Sequence, residues 1–180
     1  MKFALGLFDQ PPTFDAVKVR ATLRCGAHRE SSLRAARESI VLLKNDNAVL
    51  PIRPTVRRIA VLGPNADDMV AQLGDWSVLD ESDGSLKRFQ PRETVTTVLD
   101  GIRARAGEGV SVDYARGCDA VEPGLDGVAR AAAMASKADV AVVVVGDTKS
   151  IAGEWHDRAD LNLTGGQQAL LEAVGATGTP

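Results

Sequence analysis

Residues Asp139–Gln167 have the sequence DVAVVVVGDTKSIAGEWHDRADLNLTGGQ, and this stretch decides the fold class. The segment Val140–Val145 is apolar at every position, which is typical of a strand that is buried on both faces in the middle of a parallel sheet. A polar loop begins at Gly146, where the predicted strand ends. Because open α/β sheets bind ligands beyond the carboxyl ends of their strands, this loop is the candidate site. It carries a dense set of titratable and aromatic side chains: Asp147, Lys149, Glu154, Trp155, His156, Asp157 and Arg158.

Two further segments, Arg58–Leu62 and Val110–Ala115, predict strands of the same sheet. The segments between and after the predicted strands have helical patterns, which imply right-handed crossovers and a layered α/β/α sandwich with a mostly parallel sheet. A further helix is predicted from Glu30 to Lys44, ahead of the first strand. Since another strand would be due at Thr179–Pro180, we expect the sheet to be incomplete at the C-terminus.

The composition is that of an ordinary soluble globular protein. The chain has 180 residues, a formal net charge of -3, 44% hydrophobic and 25% charged residues. The mild acidity argues against a nucleic-acid partner, and no apolar run approaches the roughly 20 residues that a membrane span needs. Cys25 and Cys118 fit no metal or redox spacing, so we interpret them as buried free thiols.

Several common catalytic and cofactor motifs are missing. No G-x-G-x-x-G follows either predicted buried strand, which argues against a Rossmann-type nucleotide enzyme. There is no phosphate-binding G-x-x-x-x-G-K-[ST] loop and no G-x-S-x-G turn for a serine nucleophile. The pair Cys25 and His28 has the spacing of half a zinc site, but no second half is present. We therefore expect no cofactor and no metal.

Five groups of motifs resemble glycoside hydrolase family 3, the retaining β-glucosidases and β-xylosidases. Each alone is weak, but their order and spacing match the family across nearly the whole chain. The motifs are KFALGLFDQPP (Lys2–Pro12), ARESIVLLKNDNAVLPI (Ala36–Ile52), IAVLGPNAD (Ile59–Asp67) with LGDWS (Leu73–Ser77), TVLDGIRA with the later YARGCD ending at Asp119, and GEWHDRADLNLTGGQ (Gly153–Gln167).

The resemblance implies a domain organisation and a chemistry. Residues 28–180 would be the family's second domain, an α/β sandwich, and residues 1–27 an interdomain linker or arm from an N-terminal barrel. Enzymes of this type use two carboxylates: one attacks the anomeric carbon, and the other protonates the leaving oxygen and then activates water. The nucleophilic aspartate belongs to the barrel in this family. We therefore expect this chain to be inactive on its own. Its compartment, cytoplasmic or periplasmic/secreted, would depend on the N-terminal sequence of the parent protein.

The resemblance also assigns site residues. Glu154, in AGEWHDR, matches the family's general acid/base glutamate, and its substrate would be a β-linked oligosaccharide or glycoside with a terminal non-reducing β-D-glycosyl residue. Asp157 and Arg158 match the family's Asp-Arg pair, for which we expect a structural role as a salt-bridged brace of the Glu154 loop. Thr164 departs from the pattern, because the family usually has proline there.

An alternative interpretation from another class is a non-catalytic α/β binding or interaction domain, in which Glu154 is incidental. It rests on the same predicted strands. The long polar segment Gly74–Arg92 is interpreted as a functional or mobile loop. Trp76, at its start, is interpreted as a core residue. Stacking of Trp76 or Trp155 on a sugar ring is the alternative for these two side chains.

Overall fold

The computed structural model of the chain describes residues 1–9, 15–74, 76 and 90–180. The described residues form two compact units, Met1–Asn47 and Ala48–Pro180. Most of the loop predicted between Gly74 and Arg92 lies outside the described residues.

In the first unit, the described residues include two α-helices, α1 (Ala16–Thr22) and α2 (Gly26–Ser39). The carboxylate of Asp15 begins α1, because it accepts the backbone N–H groups of Val17 and Lys18 at 3.0 Å each. Helix α2 starts and ends earlier than the sequence predicts. The residues that follow it, Ile40 and Val41, are β-branched and therefore favour extended backbone over helix.

The second unit is built on a three-stranded parallel sheet with the strand order β2-β1-β3. The strands are β1 (Arg58–Leu62), β2 (Ser111–Ala115) and β3 (Val140–Val143). Ile59 of β1 lies between Val112 of β2 and Val140 of β3. All three segments predicted as strands are therefore strands, and the sheet is parallel as predicted.

Among the described residues, β1 is the middle strand and β3 lies next to it. Residues Ile59–Leu62 are all buried, whereas only Val140 is buried in β3. The other long edge of β3 is met by the chain end, where the Ala141 N–H donates to the Pro180 carbonyl at 2.8 Å. The apolar run in β3 reports that both faces of the strand are covered, which does not determine its neighbours along the edges.

Helices cover both faces of this sheet, as the sandwich requires. The α-helices among the described residues of the second unit are α3 (Met69–Leu73), α4 (Val98–Arg105), α5 (Val128–Ala135) and α6 (Gln167–Gly175). One core cluster joins Leu62 to residues of α5 and α6, including Ala131 and Leu170. The opposite core joins Val61 to Leu99 of α4. The α/β/α sandwich predicted from the sequence is confirmed.

The two cysteines are free thiols in different surroundings. Cys118 is buried in the core beside α5 and α6, as predicted, and burial raises the pKa of its thiol. Cys25 is only half-buried. None of the helices in the described part of the chain has the length and apolar character of a membrane-spanning segment.

Candidate active site

The candidate site lies at the edge of the sheet where the three parallel strands end. The loops after β1, β2 and β3 meet there and line a solvent-open pocket of about 620 Å³. Its lining includes residues from all three loops: Asn65 and Asp68 after β1, Arg116 and Asp119 after β2, and Lys149 and His156 after β3. Convergence of polar side chains at the carboxyl ends of parallel strands is the arrangement that ligand sites of α/β folds use.

The ends of β1 and β3 are held in close contact by Gly63. Its φ is 111°, and a β-carbon at this position would lie 2.1 Å from the Val144 carbonyl oxygen. The Val144 N–H in turn donates to Leu62 O at 2.7 Å. Just beyond, the Asn65 side-chain amide donates to Asp147 O at 3.3 Å. The loop after β1 and the loop after β3 are therefore packed against each other where they leave the sheet.

The loop after β2 is folded around the carboxylate of Asp119. This carboxylate pairs with the Arg116 guanidinium at 2.8 Å and accepts the backbone N–H groups of Val121 and Glu122 at 2.9 and 3.0 Å. The backbone N–H groups of Glu122 and Val121, together with the nearby guanidinium, lower the pKa of Asp119 below its usual range. Asp119 therefore stays ionised and fixes one wall of the pocket.

The loop that follows β3 carries Glu154 at the tip of a tight turn. The His156 N–H donates to Gly153 O at 3.2 Å, so Glu154 and Trp155 are the two central residues of a β-turn. Trp155 has a φ of 73°, as the second central residue of a type II turn does, although this position usually takes glycine. Glu154 is exposed, and the Trp155 side chain is 89% exposed. The turn thus presents a carboxylate and an indole to the outside of the domain.

Arg158 fastens the far side of this loop to the end of β3. Its guanidinium pairs with the Asp147 carboxylate at 2.7 Å and also donates to the Asn162 carbonyl oxygen. A second carboxylate, that of Asp160, lies 4.0 Å away. Only 25% of the Arg158 side chain is exposed, whereas Asp157 is an exposed residue. The brace expected of Arg158 therefore runs to Asp147, four residues past β3.

A buried glutamine lies at the root of the same loop, and sequence reasoning missed its role. Gln167 is fully buried at the first position of α6. Its side-chain oxygen accepts the Gly146 N–H at 2.7 Å. The two hydrogens of its amide nitrogen are shared among Gly146 O, Ala120 O and Thr164 O, each 3.1 Å from this nitrogen. The only sequence signal for the role of Gln167 is the presence of a polar residue at the start of a helix that is otherwise largely apolar.

The structure brings some of the sequence-predicted residues together and separates others. Lys149 and His156 line the pocket, whereas Glu154 lies on the turn next to it. Trp76 is 80% exposed, so its interpretation as a core residue is wrong. The presence of a tryptophan in the sequence does not indicate whether its side chain is buried in the core or exposed. Within the described ranges, no three His, Cys, Asp or Glu side chains are grouped closely enough to hold a metal ion.

Comparison with known proteins gives the relatives of this chain. A model of the glycosyl hydrolase family 3 C-terminal domain matches residues 40–180. A β-xylosidase of Formosa agariphila is 38% identical over 181 residues, which cover 99% of this chain and 24% of the relative. A periplasmic β-glucosidase of Salmonella typhimurium is 31% identical over 206 residues, which cover 100% of this chain and 25% of the relative.

Solved structures of β-glucosidases are similar in fold. One, a β-glucosidase involved in saponin metabolism from intestinal bacteria, matches with a TM-score of 0.86 and 36% identity over 99% of this chain and 27% of that chain. Another, a β-glucosidase from Listeria innocua in complex with glucose, matches with a TM-score of 0.76 and 26% identity over 99% of this chain and 22% of that chain. The chain spans about a quarter of the length of these relatives.

Fold and site together define a parallel α/β sandwich whose polar loops converge at the carboxyl ends of its strands. The chain belongs to glycosyl hydrolase family 3, and residues 40–180 match the C-terminal domain of that family. The resemblance inferred from the sequence motifs is thereby confirmed.

Proposed function

We propose that this chain is the second domain of a retaining β-glycosidase and supplies its general acid/base, Glu154. The observation that carries the proposal is the position of Glu154, exposed at the tip of a turn in the loop that leaves the carboxyl end of β3. Membership of a family whose relatives include a β-xylosidase and a β-glucosidase supports the reaction class. Residues 1–27 are then the linker that leads in from a barrel domain.

The chemistry needs two carboxylates on opposite sides of the glycosidic bond. In the first step, an aspartate of the barrel attacks the anomeric carbon while Glu154, in its acid form, donates its proton to the leaving oxygen. The products are a covalent glycosyl-enzyme and a free alcohol. In the second step, the Glu154 carboxylate takes a proton from water as this water attacks the anomeric carbon and releases the aspartate. Retention requires the two carboxyl groups to lie roughly 5–5.5 Å apart.

The geometry of the loop suits this division of labour. A carboxylate that must meet a nucleophile on another domain has to protrude from its own domain, and Glu154 does so at the tip of its turn. It must also be held in place, since misplacement of a catalytic group by about 1 Å can cost on the order of 100-fold in rate. The ion pair of Arg158 with Asp147 supplies such a restraint near the base of the loop.

The proposed substrates are β-linked glycosides and oligosaccharides, cleaved at a terminal non-reducing β-D-glycosyl residue. The relatives include a β-xylosidase and β-glucosidases, which differ in the sugar they release. We propose that the barrel recognises this sugar. The domain described here contributes the proton donor and, through its exposed Trp155, an apolar surface beside it.

The test is Glu154→Gln in the full-length enzyme that carries this domain, with two substrates of different leaving-group pKa. For an alkyl or unactivated aryl glycoside, we expect kcat to fall by roughly 100- to 10,000-fold, because the leaving oxygen now departs unprotonated. A dinitrophenyl glycoside should lose far less in the glycosylation step, since its leaving group needs little protonation. Azide should then accelerate its deglycosylation, because an anion needs no general base.

Glu108→Gln is the matched control, because Glu108 is an exposed glutamate in the turn between α4 and β2, away from this loop. It should retain near-normal rates on both substrates, and neither variant should change the melting temperature by more than about a degree or two. Equal loss on both substrates with no azide effect would remove Glu154 from the acid/base role. Asp147, Asp157 and Asp160 would then be the carboxylates to test. Unchanged rates on both substrates would favour the non-catalytic binding domain.

A further inference from the structure

Gln167 is the one fully buried uncharged amide side chain among the described residues, and its position is central to the loop that carries Glu154. A buried amide is stable only when its donors and acceptor are satisfied. The close partners of the Gln167 amide are all backbone groups: the N–H and C=O of Gly146, and the carbonyl oxygens of Ala120 and Thr164. The Thr164 hydroxyl is a more distant partner, 3.5 Å from the amide nitrogen.

The partners of Gln167 are the two ends of one loop. Gly146 follows β3 and begins the loop, while Thr164 closes it just before α6. One side chain therefore joins the two ends of the loop Gly146–Thr164, with Glu154 near its middle. The third partner, Ala120, belongs to the loop after β2, which ties the closed loop to the Asp119 wall of the pocket.

Thr164 strengthens the same junction through its hydroxyl group. Its hydroxyl donates to Ala120 O at 2.6 Å, so this carbonyl accepts from both Thr164 and Gln167. The glycines that follow leave no spare room, because a β-carbon at Gly165 would lie 2.5 Å from Asp119 O and one at Gly166 would lie 2.6 Å from Gly124 O. The junction is thus close-packed around the Gln167 amide.

We propose that Gln167 is a positioning residue for the general acid/base: its amide closes the Glu154 loop at both ends and so fixes the place from which Glu154 reaches the substrate. This inference rests on the proposed role of Glu154. Gln167 touches no substrate, and it acts by limiting the number of positions that the turn Gly153–His156 can take. Its loss should lower the fraction of enzyme with Glu154 in the productive position.

The first measurement uses the unmodified full-length enzyme and does not depend on any variant. Amide hydrogen exchange should show that the Gly146 N–H, which lies beyond the end of β3, is slowed by on the order of 100-fold or more relative to an unstructured peptide. Exchange of Gly146 at the rate of an unstructured peptide would overturn the proposal, since the amide of Gln167 would then not hold the loop.

The second measurement is Gln167→Met, with Gln168→Met as the matched control. Methionine has nearly the length of glutamine but lacks the amide. Gln168 is the exposed neighbour on the same helix, where its amide donates to Glu172 at 2.8 Å. With an unactivated glycoside, we expect Gln167→Met to lower kcat by about 10- to 100-fold with little change in KM. The dinitrophenyl glycoside should lose several-fold less, and Gln168→Met should behave as the unmodified enzyme.

A double variant separates positioning from general damage. If Gln167 acts through Glu154, then Glu154→Gln with Gln167→Met should be no slower than Glu154→Gln alone. Multiplication of the two losses, or equal loss on both substrates, would overturn the proposal. If Gln167→Met does not fold, Thr164→Val is the second variant. It removes the hydroxyl bond to Ala120 and the long contact of this hydroxyl with Gln167, but keeps the Gln167 amide. It should give a smaller loss, of about 2- to 5-fold, with the same dependence on the leaving group.

The two proposals can fail separately. If Glu154→Gln itself shows no dependence on the leaving group and no azide effect, the acid/base assignment falls and the role of Gln167 falls with it. If Glu154→Gln behaves as expected but Gln167→Met and Thr164→Val lose both substrates equally, only the positioning role is refuted.

Discussion

Gly63→Ala is a substitution whose cost can be worked out from the structure. Two separate penalties apply. The φ of 111° is unfavourable for any residue with a β-carbon, and this carbon would lie 2.1 Å from the Val144 oxygen and 2.8 Å from the Val144 carbonyl carbon. Relief requires the Val144 backbone to move, but its N–H is bonded to Leu62 O at 2.7 Å.

The backbone conformation costs roughly 1–2 kcal/mol, and a hydrogen bond lost or weakened between the ends of β1 and β3 adds about 1 kcal/mol. The displaced core side chains beside Val144 add a further 1–2 kcal/mol or so. We therefore expect Gly63→Ala to lower the free energy of unfolding by about 3–5 kcal/mol, a large share of the roughly 5–15 kcal/mol that domains have.

The assay is urea unfolding followed by circular dichroism, with Gly109→Ala as the matched control. Gly109 has a φ of 77°, and a β-carbon there would meet no described atom within 4 Å. The control should therefore lose only the backbone term of roughly 1–2 kcal/mol. If both variants lose the same stability, the close contact between β1 and β3 is not what the chain relies on, and the reasoning is refuted.

Two further predictions concern the charges around the site. Arg158→Met should lower kcat of the full-length enzyme about 10-fold, because the ion pair to Asp147 is lost. Asp157→Asn should change kcat less than 2-fold. Steady-state kinetics on both variants are the measurement, and equal effects would contradict a restraining role of Arg158. Asp119 has a lowered pKa in the folded state, so its stabilisation is present above the ordinary carboxyl pKa of about 3.9 and is lost as the pH falls through the lowered value. Asp119→Asn should accordingly make the free energy of unfolding depend less steeply on pH below about 4 in acid titrations, and an unchanged slope would show that Asp119 does not contribute.

Much of the fold could be predicted from the sequence because its strands are short, apolar and separated by helices. The segment Arg58–Leu62 was predicted with its observed bounds, and Val140–Val145 was right in type. The position of β3 in the sheet could not be predicted, since an apolar run reports that both faces are covered and is silent on edges. The apolar spacing continues to Lys44 and therefore predicts a longer helix. Helix α2 nevertheless ends at Ser39, because the β-branched residues that follow favour extended backbone.

The site could be predicted less completely than the fold. The loop of Glu154 could be found, because it follows a recognisable strand and carries a specific motif. Several of the contacts that shape it could not, since they join residues far apart in the sequence. Gln167 meets Ala120, 47 positions away, and Asn65 meets Asp147, 82 positions away. The proximity of such pairs can be predicted only when the strand order is known.

The most direct test of the central claim is to identify the product that Glu154→Gln forms from a dinitrophenyl β-glycoside in the presence of azide. Two successive displacements at the anomeric carbon retain its configuration, and azide needs no general base in the second. We expect a β-glycosyl azide, identified by the anomeric coupling in its NMR spectrum, together with faster release of dinitrophenol. No glycosyl azide, or an azide of the α configuration, would contradict the assignment of Glu154 as the acid/base of a retaining enzyme.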